Sequence, residues 1–191
     1  MARKAKIPIF AGGVLILLSL CGLLLNTWLS GKTGRNTAEV LAALDAVLPR
    51  SAPALEGTHR NPEMPVLQIE NQDVIAIVEI PAFGIRLPVL GQWEQGNLLG
   101  MPRRFSGSAY DGSLIIGGCD KPGQFDCFHR IPNDTQVILT DMTGGEYTYR
   151  VSRIQRSDSA EASILADPDA KLTLFVRDTY TMEYIILRCT R

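Results

Sequence analysis

The hydrophobic pattern divides the chain into segments of different character. No residue from 7 to 29 is charged, and the apolar density is highest between 14 and 25. A bilayer core takes ~20 mostly apolar helical residues, so this run is long enough to cross one. Pro8 and Asn26 sit near its ends, where lost or unsatisfied backbone bonds cost least, and Trp28 falls at interface level. A cleaved signal peptide would have a shorter apolar core and a small-residue cleavage site after it, and this segment fits neither. Past it, Val40, Leu41, Leu44, Val47 and Leu48 recur at helical spacing, and Asn36 with Glu39 has the spacing of a capping box. This predicts a short helix over 36–49 with one apolar stripe. Four prolines among polar residues between 49 and 65 then predict an extended tether.

Beyond 65 the pattern turns to short apolar runs closed by glycine, proline and polar residues. Runs at 74–80, 85–90, 113–118, 136–141, 146–154, 172–176 and 184–189 read as strands, and Thr143-Gly144-Gly145 marks a hairpin turn. Seven short strands with little helix predict a sandwich or a barrel. The expected organisation is a stub at 1–6, a transmembrane anchor at 7–29, a juxtamembrane helix and Pro-rich tether at 30–67, and a β-domain at 68–191.

Charge sets the orientation and removes some functions. Arg3, Lys4 and Lys6 precede the apolar run, while Lys32 and Arg35 follow it. That excess puts the N-terminus in the cytoplasm and the β-domain outside the cell membrane, on a single-pass anchor. The chain has 191 residues and a formal net charge of −1, without the basic excess that nucleic-acid binding needs. Two histidines, His59 and His129, are too few for a His-based metal site, so no metal and no cofactor is expected. Cys21 lies in the apolar run. Cys119, Cys127 and Cys189 lie beyond it, an odd number that favours unpaired thiols while leaving one pair open.

Candidate chemistry concentrates in three patches. Ile80-Pro81-Ala82-Phe83-Gly84-Ile85-Arg86-Leu87-Pro88-Val89 turns one strand into the next. Phe105-Ser106-Gly107-Ser108 precedes Leu114-Ile115-Ile116-Gly117-Gly118-Cys119, a strand whose terminal glycines let backbone come close to a pocket. Leu172-Thr173-Leu174-Phe175-Val176-Arg177 and Tyr184-Ile185-Ile186-Leu187-Arg188-Cys189-Thr190-Arg191 form a hairpin with a short loop.

Together these patches resemble the sortases, membrane-anchored cysteine transpeptidases of Gram-positive bacteria, and the last segment resembles those close to class B. Residues 80–89 resemble the family's Ile-Pro-x-x-Gly-x-x-Leu-Pro-Val, 105–108 its Tyr-Ser-Gly-Ser, 117–119 its Ala-Gly-His, 172–177 its Leu-Thr-Leu-Phe-Thr-Cys, and 184–191 its Arg-Val-x-Val-Arg-Cys-x-Arg. The resemblance implies an eight-stranded β-barrel. It also implies a catalytic histidine, cysteine and arginine at positions that here hold Cys119, Arg177 and Tyr184, with Val176 in place of the threonine before the nucleophile.

A sortase needs a thiolate nucleophile, an imidazole to move protons and an arginine to hold the oxyanion or the substrate. Arginine cannot release its proton near neutral pH, so Arg177 cannot stand in for the acid. The expectation is a catalytically inactive pseudo-sortase whose Asp120, Val176, Arg177 and Tyr184 contribute to a binding site. Its partner would be a sorting-signal peptide, a pilin or other surface protein, or an active sortase. Asp120 would pair with Arg177, or Arg177 would face solvent. The alternative is an active transpeptidase or hydrolase with a non-standard site at Cys119, its thiol activated by Arg177.

Overall fold

A computed structural model describes residues 6–48, 52–53, 63–93, 100–159, 161 and 165–191, with the side chains of 6–13, 24–35 and 52–53 excepted. Helix α1 spans Lys6–Val47. Ten strands follow among the described residues: β1 Ala52–Pro53, β2 Leu67–Ile69, β3 Gln72–Ile80, β4 Ile85–Leu90, β5 Arg103–Ser106, β6 Leu114–Cys119, β7 Gln136–Asp141, β8 Gly145–Ser157, β9 Leu172–Arg177 and β10 Tyr184–Thr190.

Eight of them close on themselves. β3 pairs with β4, then β5, β6, β9, β10 and β8 follow in order, and β7 bridges β8 back to β3. The expected eight-stranded barrel is therefore present, with β2 added antiparallel to β3 and β1 parallel to β8. Alternation on β8 shows how the sequence builds it: Gly145, Tyr147, Tyr149 and Val151 are buried, while Glu146, Thr148, Arg150 and Ser152 between them are exposed. The barrel is filled by Ile75, Val78, Val89, Leu114, Ile116, Phe125, Phe128, Leu139, Tyr149, Leu174, Val176, Leu187 and their neighbours.

Hydropathy did not predict β1, β2 or, among the eight barrel strands, β5. Its Arg103 and Arg104 hide it from an apolar scan, yet both guanidiniums turn back to carbonyls, of Gln92 and Gly91 respectively. β8 also runs longer than its apolar stretch, because its exposed far half keeps pairing with β10 along the backbone as far as Ser157.

Helix α1 corrects a second expectation. The Asn36–Glu39 spacing starts no helix, since α1 runs unbroken through it. Gly31 and Gly34 each cost a helix only about 1 kcal/mol, and no proline interrupts 30–47. The last turns dock on the barrel: Val40 and Leu44 are buried against Ile69, Val74, Ile77, Leu90 and Met101. Asp45 takes both Nη groups of Arg86, at 3.0 and 2.6 Å, while Glu79 takes its Nε at 2.9 Å. The expected anchor at 7–29 falls within α1, but most of its side chains lie outside the described residues. Among the described residues no helix is long and apolar enough to cross a membrane. The expected tether, His59 included, also lies largely outside them, although Met64 at its end is buried in the barrel core.

Candidate functional site

β6 and β9 run parallel and end together, and β10 starts where they end. In this register Gly118 pairs with Val176 and Cys119 with Arg177, while Arg177 pairs with Tyr184 across the β9–β10 hairpin. Three of the sequence-expected positions therefore stand in one row at one rim of the barrel. Side chains alternate along a strand. Val176 points inward and is fully buried in the core, so it lies beneath the row rather than in it. Cys119, Arg177 and Tyr184 leave on the outer face.

The double glycine before Cys119 has a steric reason. A Cβ on Gly118 would sit 2.4 Å from the Phe125 ring and 3.0 Å from Gln124 Oε1, and one on Gly117 would sit 2.6 Å from both Trp93 and Phe175. Their absence lets the loop after β6 fold back. Gln124 Oε1 accepts the Cys119 N–H, while the Cys119 carbonyl accepts the N–H groups of Lys121 and Phe125. The Cys119 amide is thus already engaged and offers no donor to an oxyanion.

Cys119 is half-buried, and that burial pushes its thiol up; Lys121 pulls it down and Asp120 pushes it further up. The expected activating cation, Arg177, is not what acts on it. Burial also raises the Asp120 carboxyl, and His129, exposed in the turn Phe128–Arg130, pulls it the other way. Among the described residues Asp120 and Arg177 form no ion pair. Of the two arrangements expected for Arg177, the structure has it facing solvent: it is exposed, donates Nε to the Met182 carbonyl at 3.3 Å, and lies 5.9 Å from the Tyr184 ring centroid.

Sequence reading missed the residues that position this rim. Asp178 is buried and organises the β9–β10 loop, accepting the N–H groups of Tyr180 (2.8 Å) and Thr181 (3.2 Å). Those bonds, Tyr180 first, hold its carboxyl below the usual range. They leave Met182 in the left-handed region at φ 65°, with its carbonyl under Arg177. Asp178 at the head of Asp-Thr-Tyr-Thr was a legible turn signal.

The outer face of β6, β9 and β10 is covered as well. Trp93 and Phe105 pack edge-on at 4.9 Å, both contact Phe175, and Phe175 contacts Tyr184 at 6.3 Å. Leu165 is fully buried against Ile115, Phe175 and Ile186. Arg188 fastens it there by donating to the Leu165 carbonyl and to Thr173 Oγ1.

Cys21, Cys119, Cys127 and Cys189 are all free thiols. Burial pushes Cys127 up to about 11 and Cys189 up to about 12. Among the described residues no cluster of three or more His, Cys, Asp or Glu side chains could hold a metal ion. A cavity of about 540 Å³ opens between Ser106, Asp111, Leu165, Asp167 and Lys171, at the opposite ends of β6 and β9 from the candidate row.

The barrel has a sortase-like fold. It is similar to sortase A from Corynebacterium diphtheriae at 20% identity and a TM-score of 0.55, covering 63% of this chain and 61% of that one. Sortase C1 from Streptococcus agalactiae is similar at 17% identity and 0.55, covering 65% and 70%. Sortase C from Clostridium perfringens is similar at 16% and 0.52, covering 84% and 85%. No protein-family model matches the chain, and no curated protein sequence matches it.

Proposed function

We propose that this chain is a membrane-anchored, extracytoplasmic pseudo-sortase that binds a peptide segment of a surface protein or pilin, or an active sortase, without cleaving it. The observation that carries this reading is the row Cys119–Arg177–Tyr184 across β6, β9 and β10. The resemblance puts histidine, cysteine and arginine at those three places. What stands there instead is a half-buried thiol with its ordinary ionisation raised, a guanidinium that transfers no proton, and a phenol. Loss of one such group commonly lowers a rate by ~10²–10⁴, and here all three are replaced. The engaged Cys119 amide supports the same conclusion.

The anchor rests on the charge-free stretch 7–29 and the cations before it. It would put residues 37–191 outside the cell, where protease added to protoplasts should digest them; full protection refutes the orientation. The function is tested with the full-length chain in detergent, incubated with sorting-signal peptides with and without an amine acceptor and read by mass spectrometry. Binding without cleavage is expected. Cleavage that disappears in Cys119→Ala would establish the alternative, an enzyme built on Cys119.

A further inference from the structure

The arginines of β8 and β10 all face carboxylates. Arg150 faces Asp134, Arg153 faces Asp167, Arg156 faces Asp178 and Glu183, and Arg188 faces Asp167. Arg177, on β9 beside β10, faces none among the described residues. The acids closest to it in sequence are already engaged, Asp178 with its turn and with Arg156, Glu183 with Arg156.

Arg177 is nevertheless held. The Met182 carbonyl takes its Nε and the Tyr184 ring lies beside it, while the Nη1 and Nη2 edge has no partner among the described residues. A guanidinium fixed at Nε loses little freedom when its planar fork meets an oxyanion, so such a group is pre-organised to bind one. The second feature is apolar. Trp93, Phe105, Phe175 and Tyr184 form an unbroken row of ring contacts that ends at Arg177, and Trp93, Phe105 and Tyr184 keep part of their surface exposed.

We propose that Arg177 is the anion-recognising residue of this face, and that its ligand is a peptide bringing a carboxylate to the guanidinium and an apolar side chain to the Trp93–Phe105–Tyr184 surface. This rests on the peptide-binding reading above and names the ligand's chemistry. A polyanion such as nucleic acid would need several cations here. Besides Arg177 the rim has Lys121, with Asp120 acting against it at Cys119, and Arg156, which is paired with Asp178 and Glu183. One planar fork suits one carboxylate, by two parallel charge-assisted hydrogen bonds. That carboxylate is either the peptide's C-terminus or an acidic side chain.

The test uses the full-length chain in detergent micelles and three random decapeptide pools. One has a free C-terminal acid and no Asp or Glu, one is the same with a C-terminal amide, and one is amidated with a single internal Glu. Retained peptides are identified by mass spectrometry, and the best is titrated calorimetrically in acid and amide forms. The carboxylate form should bind at least tenfold tighter, about 1.4 kcal/mol. Arg177→Gln should erase the difference, and Arg177→Lys should keep part of it. Retention from the free-acid pool alone assigns the C-terminus, and retention from the Glu pool assigns an acidic side chain; either supports the proposal. Equal affinity of acid and amide, or a difference that survives Arg177→Gln, overturns it. If that equal binding is lost in Trp93→Ala, the peptide-binding reading stands while the carboxylate falls. No retained peptide from any pool overturns both.

Discussion

Cys119 and Arg177 are register partners at the last positions of two parallel strands, so their side chains leave the barrel on the same side. They are neighbours on the backbone without being an activated pair. The thiol is governed by its burial, by Lys121 and by Asp120, while the guanidinium turns to Met182 and Tyr184. Cys119 should therefore be a sluggish nucleophile. In a Cys21→Ser background at pH 7, an alkylating probe should label Cys119 more slowly than a small free thiol, with the rate still climbing as pH passes the ordinary thiol range. Cys127 and Cys189, buried and shifted to about 11 and about 12, should label on unfolding. A Cys119 rate above that of the free thiol contradicts the proposed inactivity.

Reversion tests the proposed replacement of the catalytic groups. Cys119→His, Val176→Thr, Arg177→Cys and Tyr184→Arg made together should recover trace cleavage of sorting-signal peptides, and no single reversion should recover any, because such groups act as a unit. Val176→Thr carries its own penalty, since that side chain points into the core and buries a hydroxyl. Cleavage by any single revertant contradicts the prediction.

Gly117 should be intolerant of a side chain. Its Cβ would press on Trp93 and Phe175, at a cost of about 1–3 kcal/mol. In a Trp28→Phe background Trp93 is the sole tryptophan. Gly117→Ala should red-shift its emission by pushing the ring into water, and an unchanged spectrum with unchanged stability would show that the ring does not rest on Gly117.

Asp141 should govern acid stability. It is fully buried and accepts Thr143 Oγ1 and N–H, the Gly145 N–H, and the Tyr110 and Tyr147 hydroxyls. Burial alone would raise its carboxyl, but these bonds, Thr143 Oγ1 foremost, outweigh it and lower it below the usual value. A lowered folded-state value gives stability that is complete above the unfolded carboxylate range, near ~4, and is lost as pH falls through the folded value. Asp141→Asn should cost about 1–3 kcal/mol at pH 7 and flatten the acid limb of the melting profile. An acid limb identical to that of the parent chain would exclude this role.

The docked end of α1 depends on apolar contact more than on its ion pair. Leu44→Ala should destabilise by about 2–5 kcal/mol and open the 36–48 segment to protease. Asp45→Ala should cost less than ~1 kcal/mol, because Arg86 and Asp45 are both substantially solvated. Equal losses from the two substitutions, or a larger one from Asp45→Ala, would contradict that ranking.

The sequence by itself determined the strands whose apolar pattern is strong, the hairpin at 143–145, the close-packing glycines and the family-like order of motifs. Each is written in side-chain period or turn chemistry, which are local properties. It also singled out Cys119, Arg177 and Tyr184, which the register sets in one row. β5 was hidden because its arginines bond to distant carbonyls, and the helix boundary at Asn36 was misread because a capping pattern does not stop a helix already running. Only the tertiary structure decided which neighbours act on which group. The Asp120 carboxyl responds to His129 and forms no ion pair with Arg177, and Gln124 folds back onto the Cys119 amide. Leu165 and Trp93 arrive from separate loops to cover the outer face. Leu165 and Trp93 pack on strands far from them in the chain, in a geometry set by barrel closure and register, which no local pattern encodes.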